Sequence, residues 1–137
     1  MIAASQQGHA DAVARLLAQE GVDVNQSNKG GWTPLMNAAQ NSHEAVVKQL
    51  IAAGAPVGAA NGVNGWTALH NASWNQQTST AKLLVETFHA DASATTTADH
   101  TADGRTFPAG STAADVAQAQ GHADVVAYFA LLRDAKK

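Results

Sequence analysis

Cysteine is missing from all 137 residues, which excludes disulfide frameworks, thiol nucleophiles and thiolate metal sites together. Charge is scarce as well: Asp, Glu, Lys and Arg make up 14% of the chain, against roughly a quarter in an average soluble protein. The formal net charge of −3 is too small to draw the chain to nucleic acid or an anionic lipid surface, so neither is expected as a partner. No apolar run approaches the roughly 20 residues of a transmembrane helix, and membrane insertion is not expected. The opening MIAASQQGHADAV lacks the basic and apolar regions of a secretory signal. With cysteine absent too, the expected setting is intracellular and cytoplasmic. Aromatic residues are only 5%, so each of the three tryptophans asks for a reason.

What the chain has is alanine and repetition. Apolar residues are 45%, much of it alanine, which suits short, closely packed helices. GWTPLMNAA at 31–39 returns as GWTALHNAS at 65–73, with Thr33 and Thr67 34 residues apart. His9 and His43 keep the same offset, as do the apolar pairs Leu16-Leu17 and Leu50-Ile51. A weaker copy, GSTAADVAQAQGHADVVAYFALL, runs from Gly110 to Leu132. Four units follow, at about 1–29, 30–63, 64–109 and 110–137, in a single domain.

Each unit reads as helix, tight turn, helix and an extended hairpin-like loop. Thr33 is placed to cap a helix N-terminus, and Pro34 follows where a missing N–H costs nothing. Val46, Val47, Leu50 and Ile51 give the next helix one apolar face, and Gly54 ends it.

TPLMNAAQNSHEAVVKQLIAAGA resembles the ankyrin repeat, whose pattern is G-x-T-P-L-H-x-A-A, then G-H, an apolar second helix and G-A-D-V-N. GWTALHNAS and GVDVN carry further parts of that pattern, and the resemblance covers essentially the whole chain. It implies an all-α solenoid of helix-turn-helix units joined by β-hairpin-like loops, and a protein–protein interaction module that is not an enzyme. Met36 and Ser42 stand where the family prefers histidine and glycine, and Gln76-Gln77 replaces Gly-His. The third unit, whose second helix starts poorly at Thr78-Ser79, is expected to be the least regular.

Six histidines raise the question of a metal. His9, His43 and His122 share one repeat position and should lie roughly 10 Å apart along the stack, too far to share an ion bound at about 2 Å. A ring nitrogen holding turn backbone is the expected role. His70 takes the position from which the family's imidazole bonds the neighbouring threonine loop; His89 and His100 look isolated. No metal or cofactor is expected. No phosphate loop, nucleophile elbow or H-E-x-x-H motif is present, so no catalytic residue and no small-molecule substrate are expected. Asp11, Glu44 and Asp124 open second helices, where the helix dipole accounts for them.

The tryptophans remain. Trp32 and Trp66 precede the repeated threonines and should look onto the concave groove about one repeat apart, with Trp74 on the same surface. Gln7, Gln40, Asn41 and Asn75 are expected beside them, with Asn37 and Asn71 on the flank. An aromatic, amide-rich and nearly uncharged groove suits a neutral protein segment. The tryptophans are equally able to pack on their own loops, and both readings stay open here. The stretch from Thr67 to Thr112 is about 12 residues longer than the 33-residue period, the excess forming a loop at 90–110 that carries Phe107. That loop is expected to project from the groove side, with Phe107 as its partner-binding residue. An alternative role is a small accessory subunit of a larger assembly, held through its ends and this loop. In the last unit Ala113, Val116, Ala117 and Tyr128 are expected on the outer face.

Overall fold

Thr33 does at atomic detail what its position in the repeat requires. Its Oγ1 accepts a hydrogen bond from the Met36 amide at 3.3 Å, and Pro34 opens the helix behind it. A computed structural model describes residues 1–74, 78–102 and 104–135, without the side chains of 133–135. The described residues form eight α-helices in four pairs: α1 (Ile2–Gln7) with α2 (Ala10–Leu17), α3 (Pro34–Gln40) with α4 (Glu44–Ala52), α5 (Ala68–Trp74) with α6 (Thr78–Lys82), and α7 (Ala113–Gln120) with α8 (Ala123–Ala135). The first helices stack in order, α3 on α1, α5 on α3 and α7 on α5. None of the helices is long and apolar enough to cross a membrane.

Alanine makes this stacking close. Ala38, Ala39, Ala68, Ala72, Ala113 and Ala117 are all buried, so the first helices meet with almost no side chain between them. The second helices complete the core with Val13, Val46, Val47, Leu50, Leu84 and Val125. Ala113, Val116, Ala117 and Tyr128, expected on an outer face, are instead buried against the third unit and their own helix pair. The inward side of both helices packs on the preceding unit, α7 on α5 and α8 on α6.

Histidines tie one unit to the next. The Nε2–H of His43 donates to the Gln6 carbonyl at 2.9 Å, and that of His122 donates to the Trp74 carbonyl at 2.7 Å. Each imidazole thus reaches back to the end of the preceding unit's first helix, rather than to its own turn. Gly8 leaves room for this: a Cβ there would lie 2.6 Å from the His43 ring, and its φ of 74° favours glycine. Ser42 occupies the same turn one unit on, at φ 58°. The unit after it carries Gln77 in place of histidine, so a side chain at 42 meets no imidazole. It still bears the left-handed penalty, and its Oγ is buried without a partner among the described residues. Ser42→Gly is therefore expected to raise stability by about 0.5–1 kcal/mol, the strain relief being partly offset by a more flexible unfolded chain. A higher urea midpoint at unchanged slope is the measurement.

The third unit departs from the pattern where one residue has been added. The helix-ending Gly54 follows Leu50 by four positions, whereas His89 follows Leu84 by five. The helix absorbs the extra residue as a π-helical turn, Leu83–Thr87, continuing α6. The returning chain bonds Ala90 N–H to the Leu84 carbonyl, where the second unit bonds Ala55 to Leu50. His89, like Gly54, has a positive φ.

The loops between the first three units carry no strand among the described residues. Among the described residues strand pairing appears only within the extra segment of the third unit, where β1 (His100–Ala102) pairs antiparallel with β2 (Arg105–Phe107), His100 opposite Phe107. The loop expected to project folds back instead.

Candidate functional site

Two asparagines set the tryptophan loops. Asn28 Oδ1 accepts from the Gly30 and Trp32 amides at 3.0 Å each, and the Asn28 amide donates to the Trp32 carbonyl at 3.0 Å. One repeat later the Asn61 amide donates to the Trp66 carbonyl at 2.7 Å, while Asn64 Oδ1 holds the Trp66 amide at 3.0 Å. Asn61 Nδ2 also donates to the Gly30 carbonyl at 3.0 Å, locking the loops to each other. Gly31 must be glycine: its φ is 82°, and a Cβ would fall 2.3 Å from Asn61 Oδ1. The 33-residue spacing of Asn28 and Asn61 is a signal that sequence reading could have used.

With backbones fixed this way, Trp32 and Trp66 do not stand a repeat apart. Their rings lean together edge to face, centroids 6.0 Å apart at 89°. Trp74, at the end of α5, lies 6.1 Å from Trp66. The β1–β2 hairpin closes over this trio. Phe107 packs edge-on against Trp66 at 5.5 Å and tilted against Trp74 at 5.4 Å, and His100 sits 5.0 Å from Trp66 and 5.5 Å from Trp32. Val116 of α7 completes the cluster.

The hairpin is fastened at both ends. Arg105 donates to the Ala119 carbonyl at the end of α7 and, at 3.0 Å, to Gln120 Oε1. At the base, Thr96 Oγ1 donates to the Pro108 carbonyl at 3.1 Å, and Asp99 Oδ1 accepts from the Ala109 amide at 2.9 Å. This segment therefore reaches from Trp32 in the second unit to α7 in the fourth.

Between the tryptophans and the hairpin lies a cleft of about 200 Å³, lined by Trp32, Gln40, Trp66, Asn71, Trp74, His100 and Ala102. Asn71 Nδ2 donates to Gln40 Oε1 at 3.2 Å across its wall. Among the described residues no ionised side chain lines it. His100 is held below the ordinary histidine pKa by its burial, which favours the neutral ring.

Four of the sequence candidates, Trp32, Trp66, Trp74 and Gln40, thus meet at one cleft. Trp66 and Phe107 are only 1% and 2% exposed, so in this arrangement they face each other and offer a partner almost no surface. Trp32 and Trp74 stay partly exposed at the rim. Gln7 and Asn41 are exposed but do not line the cleft. Asn41 turns its amide onto the Asn37 carbonyl at 2.9 Å, closing its own helix. Asn75 lies outside the described residues. His100, which looked isolated, and Asn71, assigned to the flank, are lining residues that sequence reading missed. The dipeptide Asp103-Gly104 between threonine-bearing stretches is the turn signal that could have found the hairpin, and with it His100.

His70 lies below Trp66, ring centroids 5.9 Å apart, and joins the third and fourth units. Its Nε2–H donates to the Ser111 carbonyl at 3.0 Å, while Nδ1 accepts from the Thr67 amide at 3.1 Å. Among the described residues no group of three or more metal-ligating side chains could hold an ion. The model for ankyrin repeats matches residues 1–98 in three copies. No curated protein matches the chain.

Proposed function

Because the chain belongs to the ankyrin-repeat family, whose repeats generally serve protein–protein interaction and are typically non-enzymatic, we propose that it binds a protein segment in its concave groove, at the cleft rimmed by Trp32 and Trp74. The α7–α8 pair, beyond the matched span, acts as a fourth repeat stacked on the third. The observation that carries this reading is the convergence of three tryptophans on a cleft with no ionised lining among the described residues. A protein rarely gathers its largest apolar side chains at a partly open surface without a partner for them. A groove already built lowers the ordering cost of binding.

Capture of the partner by the immobilised chain, followed by titration against variants, tests the reading. Trp32→Ala and Trp74→Ala are each expected to weaken binding by about tenfold or more, in the manner of aromatic hot spots. With so little charge at the cleft, affinity should change by less than about threefold between about 0.05 and 0.5 M salt. Unchanged binding by both variants would remove the groove from consideration. The accessory-subunit reading draws support from Leu131, 69% exposed on α8 near one end of the stack. Loss of binding on Leu131→Ala alone would favour it.

A further inference from the structure

Seven buried side-chain polar atoms have no hydrogen-bond partner among the described residues: Ser5 Oγ, Ser42 Oγ, Gln49 Oε1, Trp66 Nε1, Asn71 Oδ1, Thr80 Oγ1 and Tyr128 OH. Unpaired buried groups of this kind cost free energy and call for a reason. Two of them, Trp66 Nε1 and Asn71 Oδ1, belong to residues that line the same cleft. A larger cavity of about 520 Å³ at the N-terminal end, between Met1, Leu16, Val22 and Pro34, is lined by none of the seven. The two orphans are complementary in kind. An indole nitrogen only donates, and an amide oxygen only accepts.

We propose that this cleft is a recognition pocket for a primary carboxamide, the side chain of a glutamine on the bound protein segment. The proposal rests on the groove reading above and sharpens it to one side chain. The carboxamide oxygen accepts from Trp66 Nε1–H, its NH2 donates to Asn71 Oδ1, and its flat body lies among the aromatic walls. Asn71 is already oriented for this, since its own NH2 is engaged by Gln40 Oε1. A carboxylate would satisfy Trp66 but set an anion against Asn71 Oδ1, with no cation among the described lining residues to compensate. An ammonium would satisfy Asn71 and leave the indole N–H facing a cation. A plain aliphatic side chain leaves both atoms unpaired, the situation in which a polar site rejects an apolar analogue. At about 200 Å³ the cleft lies below the usual size of a whole-ligand pocket, as a site for one side chain should. His100 and Ala102 form the wall carried by the hairpin.

The test uses the intact chain and three capped amino acids: N-acetyl-glutamine methylamide, the corresponding glutamate, and the corresponding alanine. Indole N–H resonances of Trp32 and Trp74, with the backbone amide of His100, are followed by ¹H–¹⁵N NMR at neutral pH. The glutamine probe is expected to give saturable shifts with at least tenfold tighter apparent binding than the glutamate and alanine probes. Asn71→Leu, and separately Trp66→Phe, which keeps the packing ring and deletes the N–H, should each weaken the glutamine probe about tenfold. Two variants guard against one simply failing to fold, which dispersion of the same spectra reveals. An equal response to the alanine probe would assign the site to backbone amides and overturn the side-chain proposal. No saturable shift with any probe would overturn it too, leaving water as the occupant. Loss of partner capture in Trp32→Ala without any glutamine response would keep the groove and sink the carboxamide. A glutamine response with unchanged capture would do the reverse.

Discussion

Trp66→Ala is expected to lower the stability of the chain by about 3–5 kcal/mol, the range for removing a large aromatic from a packed core. Trp66 is 1% exposed and is the common neighbour of five rings: Trp32, His70, Trp74, His100 and Phe107. Deleting it leaves a void that backbone motion cannot easily close, because the Asn61 amide bonded to the Trp66 carbonyl and the Trp66 amide bonded to Asn64 Oδ1 pin the loop beneath. The hairpin loses its main apolar mooring at the same time. Two readouts are therefore expected to move together. The urea midpoint should fall, and amides of 100–107 should exchange much faster than those of α3 and α4. Trp32→Ala, at the partly exposed rim, should cost about 1 kcal/mol and leave the hairpin in place. A loss below about 1 kcal/mol in Trp66→Ala would mean that the hairpin does not rest on this ring.

The two halves of the molecule differ in how legible they were. Helix pairs are written locally: Thr33-Pro34, the alanines of α3 and the apolar face of α4 sit within 20 residues of one another, and each constrains its neighbour. The gathering of tryptophans on one surface followed from the same phase. The covering of that surface did not. His100 meets Trp32 across 68 residues and Phe107 meets Trp66 across 41, so neither contact leaves a period in the sequence. The inserted segment carries no repeat to align with, and its destination is decided by where its apolar side chains find unoccupied apolar surface. Trp66 illustrates the consequence. The repeat fixed its loop, but the choice between partner contact and packing depended on a distant hairpin. The extra residue before His89 was legible in principle, by counting from Leu84. That it becomes a π turn rather than a longer loop reflects the fixed ends of the helix, with Leu84 buried on one side and Ala90 bonded back to its carbonyl on the other.

His70 supplies the other large effect, and its sign follows from the tautomer. Nε2 faces the Ser111 carbonyl, which can only accept, so Nε2 carries the proton. Nδ1 faces the Thr67 backbone N–H, so in the neutral ring it accepts. A second proton on Nδ1 would set donor against donor in a site 1% exposed, and burial holds the His70 pKa below its ordinary value of 6.5. Above pH 6.5 both folded and unfolded chains carry the neutral ring, and the full contribution is present. As pH falls below 6.5 the unfolded chain takes up a proton that the folded chain refuses. Stability should then decline with a slope approaching about 1.4 kcal/mol per pH unit from this residue, until the lowered folded pKa is reached. His100 should add a smaller slope of the same sign, since its pKa is lowered too. His70→Ala is expected to cost about 3 kcal/mol at pH 7.5, because the Thr67 amide and the Ser111 carbonyl each lose a buried partner. His70→Met, the residue the second unit carries at this position as Met36, fills the volume and should recover part of that cost. Both variants should flatten the dependence between pH 5 and 6.5. Urea unfolding at half-unit pH steps in this window gives the result: a slope in His70→Met as steep as in the parent would place the titrating group elsewhere.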